Sequence, residues 1–145
     1  MLASIVLVLL LLSATIALLH PGYQSGDDVC MALYAAGVAI RDRPDAHLLF
    51  MHAWIGWGLS RLYTVWPTVP WYALLLYAVL AFAHLVVLSS LRRRHGLAET
   101  LLLFLALFGI SLGVYAQELQ FTIVAMYCAA AGWLAVATHA LGAGR

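Results

Sequence analysis

The chain alternates long apolar runs with short polar breaks. Leu2 to Leu19 is almost wholly apolar, and at 1.5 Å per residue it predicts a helix of about 27 Å, enough for the hydrocarbon core of a bilayer. His20-Pro21-Gly22 breaks it. No basic region precedes the run and no small-residue cleavage site stands before Gly22, so the run reads as a retained span and not a signal peptide. Three further spans are predicted over 70–91, 98–116 and 119–141. Gln117-Glu118 forms a tight polar turn between the last two.

Two less apolar segments lie between the first span and the second. Residues 25–40 predict a short helix. Ser25 can cap it, and Asp28 stands three residues on, at capping-box spacing. Asp27 and Asp28 both fall in the first turn, where the helix dipole favours negative charge. Asp27, Met31, Tyr34 and Val38 recur on one helical face. Sixteen residues with an acidic start do not span, so this helix is expected on the membrane surface. Arg41-Asp42-Arg43-Pro44 ends it, and Asp45 stands where it can cap the next helix. Residues 46–66 are long enough to cross, about 31 Å as a helix. Their content argues against crossing. His47, His52, Ser60 and Arg61 interrupt the run, and Trp54, Trp57, Tyr63 and Trp66 favour the headgroup level. His52, Gly56, Ser60 and Tyr63 share one face. A second interfacial helix is expected, closed by Pro67-Thr68-Val69-Pro70.

Composition fixes the class. Of 145 residues, 66% are hydrophobic and 9% charged, against about 45–50% and 25% in soluble domains. The prediction is an all-α integral membrane bundle, with four transmembrane helices and two juxtamembrane helices after the first span. The basic residues are all arginine, the net charge is +1, and no basic patch is interleaved with stacking aromatics, which argues against nucleic acid. Cys30 and Cys128 sit among apolar neighbours and read as small buried hydrophobes. Arg92-Arg93-Arg94 is the strongest positive cluster and belongs in the cytoplasm. With four spans, both termini are then cytoplasmic, and Asp27 and Asp28 lie on the outer face of the cytoplasmic membrane. Were 46–66 to cross, the acids would instead be cytoplasmic.

One span, then paired acids opening a surface helix, then an aromatic surface helix, then a span ending in arginines: this order resembles the amino-terminal part of GT-C-fold glycosyltransferases. That class uses polyprenyl-phosphate sugars and includes protein O-mannosyltransferases and lipid A aminoarabinose transferases. Gly26-Asp27-Asp28, Gly37, the run Pro44 to Phe50, Gly56, Leu62-Tyr63, Pro67, Trp71-Tyr72 and Leu119-Gln120-Phe121-Thr122 also resemble uncharacterised bacterial multi-span proteins associated with that fold. The resemblance covers nearly the whole chain. It implies that an acid just after the first span sits at the reaction centre, as general base or in positioning the acceptor or a divalent cation such as Mg or Mn. By position that acid is Asp27, with Asp28 beside it. It implies a lipid-linked sugar donor and an acceptor approaching from the outer face. GT-C enzymes are much longer, so the resemblance is to a fragment, a truncated gene product, a subunit needing a further membrane partner, or a relative that has lost catalysis.

Adjacent carboxylates such as Asp27 and Asp28 suit a general base or a shared cation; helix capping is the plainer role, for Asp28 especially. Glu118 falls on the same outer face in the four-span arrangement, as a third acid or a solvated turn residue. Gln120 and Thr122 can bond a sugar or a neighbouring helix. His47 and His52 can carry a proton or meet phosphate, or anchor an interfacial helix. Arg61 can pair with a donor phosphate or snorkel to headgroups. His84 is an ionisable group inside a span, a functional candidate or a polar bond between helices. Gly109 and Gly113 read as close helix packing, and Asp42 and Asp45 as a turn and a cap. Two non-enzymatic classes compete: a small flippase-type protein for lipid-linked sugars, and an accessory subunit.

Overall fold

The protein's computed structural model describes residues 2–23, 25–38, 43–115 and 118–143, the side chains of 112–115, 118 and 141–143 excepted. Among them the chain forms six helices: α1 (Leu2–Leu19), α2 (Gly26–Ala36), α3 (Ala53–Val65), α4 (Trp71–Arg92), α5 (Leu97–Tyr115) and α6 (Phe121–Ala143). Three of these, α1, α4 and α6, are long and apolar enough to cross a membrane, and α5 adds a shorter apolar stretch, Leu97–Ser111. The backbone resolves into two compact units, Met1–Gly22 with Tyr77–Arg145, and Tyr23–Leu76.

The first unit is a bundle of apolar helices. Val8 and Leu12 of α1, Val87 and Leu91 of α4, Phe104 and Phe108 of α5, and Ala131 of α6 form one buried cluster. Large apolar side chains also cover the outside; Phe82 is 66% exposed and Trp133 75%. Water would penalise such a surface, whereas lipid would not. Ser4, near the start of α1, and Arg92, at the end of α4, line the same cavities. An Arg94 Nη donates to the Thr138 carbonyl near the end of α6 at 2.8 Å. The start of α1 and the ends of α4 and α6 therefore share one end of this bundle. Gly22 opens a two-residue strand, β1 (Gly22–Tyr23), which pairs with β2 (Glu118–Leu119).

Halfway along α4, His84 is buried. Its Nδ1 lies 2.8 Å from the Leu80 carbonyl and its Nε2 3.2 Å from Ser111 Oγ. The Phe108 and Tyr127 rings pack against it, with centroids 4.9 and 4.6 Å away. Both ring nitrogens are thus used inside the bundle, the interhelical role expected of a polar group at this depth. Gly109 does not mark close packing: a Cβ there would meet nothing within 4 Å. The side-chain surroundings of Gly113 lie outside the described residues.

The second unit departs from the sequence expectation in its boundaries. The helix expected over 25–40 stops at Ala36, because Gly37 takes a left-handed conformation (φ 75°). Gly37 N–H donates to the Tyr34 carbonyl and Val38 N–H to that of Leu33, which is a Schellman stop. The predicted turn at Asp42 lies outside the described residues. Residues 46–52 are not helical, and α3 begins only at Ala53. Asp45 caps no helix. Its Oδ1 accepts the His47 N–H at 3.0 Å and faces His47 Nδ1 at 2.9 Å, a local turn with no helix following it. Phe50 is left-handed (φ 64°), and His52 supplies the cap, its Nδ1 accepting from the Trp54 N–H at 3.4 Å. Thirteen residues make α3 about 20 Å long, well short of the ~30 Å of hydrocarbon.

Gly56, Leu59, Ser60 and Tyr63 form the buried stripe of α3. Gly56 lies directly on the chain at Ala46, whose carbonyl oxygen occupies the space a Cβ would take. The buried stripe of α2 is Asp28, Met31 and Ala35. It runs through Asp28 and not through Asp27 as the expected face had it, and Asp27 is exposed. Cys30 is also exposed, contrary to expectation, while Cys128 is partly buried; Cys30 lies off the Asp28 stripe on α2.

Candidate functional site

The polar centre of the second unit is the first turn of α2. Ser25 is the N-cap, with an extended backbone, and its Oγ accepts the Asp28 N–H at 3.3 Å. The same hydroxyl donates to Asp28 Oδ2. The capping spacing in the sequence thus sets the start of the helix. It also holds the Asp28 carboxylate inward, where it is fully buried.

The other carboxylate oxygen is used from a distance of 44 residues along the chain. Tyr72, in the first turn of α4 and fully buried, donates its hydroxyl to Asp28 Oδ1 at 2.7 Å. Met31 Sδ lies 3.8 Å from the same hydroxyl, and the Tyr23 ring packs at 5.7 Å from that of Tyr72. Tyr72 N–H, a donor left unpaired by the start of α4, gives its proton to the Tyr63 hydroxyl at 3.1 Å. Tyr72 therefore makes two separate ties, its hydroxyl to Asp28 and so to Ser25, and its backbone N–H to Tyr63, which join α2 and α3 to the first turn of α4. A charge out of water is tolerable only when hydrogen-bonded in this way. Sequence reading placed Tyr63 among the interfacial aromatics and on one helical face, met Tyr72 in the resemblance, and gave neither a role in a site. The signal that finds them is phenol chemistry: a buried tyrosine needs a partner for its O–H.

The two acids thus differ in what they can do. Asp28 has both oxygens engaged and no exposed surface, so it cannot meet a substrate without breaking its own bonds. Asp27, one position earlier in the same turn, is exposed. It stands where the helix dipole favours its charge. The remaining candidates are dispersed within this unit. His47 is exposed and paired with Asp45. His52 is exposed and caps α3. Arg61 is exposed, its guanidinium 5.6 Å from the centre of the Trp57 ring, a cation–π contact that holds it on the aromatic face of α3. Glu118 and Gln120 belong to the first unit. Glu118 forms part of β2 and its side chain lies outside the described residues; Gln120 is partly exposed, and its carbonyl accepts the Val124 N–H at 3.1 Å.

The pair does not fit a divalent cation. Such an ion takes about six oxygen ligands, and both Asp28 oxygens are already spoken for. Among the described residues no group of three or more His, Cys, Asp or Glu converges.

Fold and composition together define the class: a helical membrane protein carrying a smaller helical unit between its first and second long apolar helices. No family model matches the chain, and neither a curated protein nor a solved structure is significantly similar to it.

Proposed function

We propose that the chain is a GT-C-like membrane module that transfers a sugar from a polyprenyl-phosphate donor at the outer face of the cytoplasmic membrane. Four spans, α1, α4, α5 and α6, leave the second unit on the outer face with α2 and α3 lying along the membrane. Two observations support this arrangement. The start of α1 and the end of α4 share one end of the bundle, so the connecting segment leaves and returns at the other end. α3, with 13 residues, is too short to cross alone. The Arg92–Arg94 cluster then faces the cytoplasm, as do both termini.

The observation that carries the reading is the division between the two acids. Asp28 is a buried fixture and Asp27 an exposed carboxylate in the same first turn, whose backbone the Ser25–Asp28 bonds secure. In the proposed reaction Asp27 accepts the proton of an acceptor hydroxyl. The freed oxygen attacks the anomeric carbon of the sugar, and the carbon–oxygen bond to the lipid phosphate breaks. The polyprenyl phosphate leaves with that electron pair. Arg61 meets the donor phosphate, and His47 and His52, held elsewhere in the unit by their own partners, are further phosphate or acceptor contacts.

The test is reconstitution of the full chain in vesicles with a polyprenyl-phosphate sugar. Asp27→Asn is expected to lower transfer by about a hundredfold or more, the scale of a lost general base. Asp28→Asn, which can keep both hydrogen bonds, is expected to change it by no more than about threefold. Transfer that survives Asp27→Asn removes this residue from the mechanism. The commitment of Asp28 to structure also favours a second reading, a non-enzymatic flippase-type protein or accessory subunit. Sugar-lipid translocation without transfer would decide for the flippase.

A further inference from the structure

The three arginines that end α4 are not equivalent. Arg94 is bonded to the Thr138 carbonyl, and Arg92 and Arg93 are both exposed. Arg92 also lines two apolar clefts of the first unit. One, of about 500 Å³, lies between α1 and α4 and is walled by Ile5, Phe82, Leu85 and Val86. The other, of about 180 Å³, lies among α1, α4 and α5 and is walled by Leu7, Leu88 and Leu101. Ser4 lines both clefts with Arg92. Ser89 also borders the larger cleft, but its hydroxyl donates to the Val86 carbonyl at 2.9 Å. The donors for an anion are therefore the guanidinium and the Ser4 hydroxyl.

We propose that this place binds one anionic diacyl phospholipid, its phosphate on Arg92 and Ser4, one acyl chain in the larger cleft and only the first carbons of the other in the smaller. Charge complementarity selects the occupant. A guanidinium offers paired donors matched to phosphate oxygens, and the walls on either side are hydrocarbon apart from Ser89 and Thr100, whose hydroxyls are spent on the Val86 and His95 carbonyls. Basic pockets between membrane helices are suited to such headgroups. A zwitterionic lipid brings its own cation and loses the selective term. The inference rests on the chain's being a membrane protein and stands apart from the sugar-transfer reading.

Native mass spectrometry of the full chain, released from mixed micelles of phosphatidylglycerol and phosphatidylcholine, tests it. The wild type is expected to retain phosphatidylglycerol preferentially. Arg92→Gln is expected to weaken that retention about fivefold, the effect of ~1 kcal/mol per basic residue at an anionic surface. Arg93→Gln is expected to leave it unchanged. Ser4→Leu, which narrows both clefts and spares every arginine, should also reduce it. Equal retention of the two lipids by the wild type overturns the proposal. So does an Arg93→Gln effect as large as that of Arg92→Gln, which would mean diffuse attraction, or full retention by Ser4→Leu.

Discussion

Replacing Asp28 by alanine is expected to destabilise the second unit by about 2–4 kcal/mol, the sum of a stranded buried donor and a weakened helix start. The substitution strands the Tyr72 hydroxyl, which is fully buried and donates to the carboxylate, and removes the group that Ser25 holds. A buried donor without an acceptor costs about 1–3 kcal/mol by itself. Tyr72→Phe is expected to cost about 1.5–3 kcal/mol, the worth of a hydrogen bond to a charged group, because the carboxylate stays buried with one partner fewer. The double variant should fall short of the sum, since each change removes the other's partner. Asp28→Asn should be mild, because its amide can still accept from Tyr72 and donate to Ser25. Unfolding of the purified protein in detergent, followed by circular dichroism, measures the cycle. Full additivity would contradict the hydrogen-bonded tie between α2 and α4.

Gly56→Ala is expected to cost about 1–3 kcal/mol or more, as overpacking does. The added methyl overlaps the Ala46 carbonyl oxygen, which already accepts the Leu48 N–H at 3.1 Å. The clash is with backbone, so no side-chain rotation relieves it. Gly58, two residues on in the same helix, is the control. A Cβ there meets nothing within 4 Å, so Gly58→Ala should stabilise the helix by about 1 kcal/mol through propensity alone. The opposite signs separate close approach from helix propensity. Equal effects would mean that α3 does not rest on the 44–48 segment.

Much of the helical frame was legible in the sequence, and the reasons are local. The run Leu2–Leu19 ends where Pro21 stands close by. The start of α2 follows from Ser25 and Asp28 at their capping spacing, and the inner stripe of α3 from Gly56, Ser60 and Tyr63. What could not be read rests on long-range or competing contacts. Two adjacent acids carry no mark of which turns inward; Tyr72, 44 residues away, decides it. Residues 46–52 carry no break as strong as proline, but the chain turns there, with Phe50 in a left-handed conformation. The sequence could nominate Arg61, His47 and His52 as polar groups in one region. Their separate partners, an indole ring, an aspartate and a helix cap, depend on the fold. The exposure of Cys30 follows from the same inward turn of Asp28, because it fixes the rotation of α2.

Everything proposed for Asp27 depends on the second unit lying on the outer face. The most direct measurement is labelling of single cysteines by a membrane-impermeant maleimide on intact cells, after Cys30→Ser and Cys128→Ala. Thr68→Cys places the probe in the exposed turn before α4, and Gly96→Cys in the exposed turn after it. The account predicts that position 68 is labelled from outside, and position 96 only after the membrane is opened. Labelling of position 68 from the cytoplasmic side alone would contradict it.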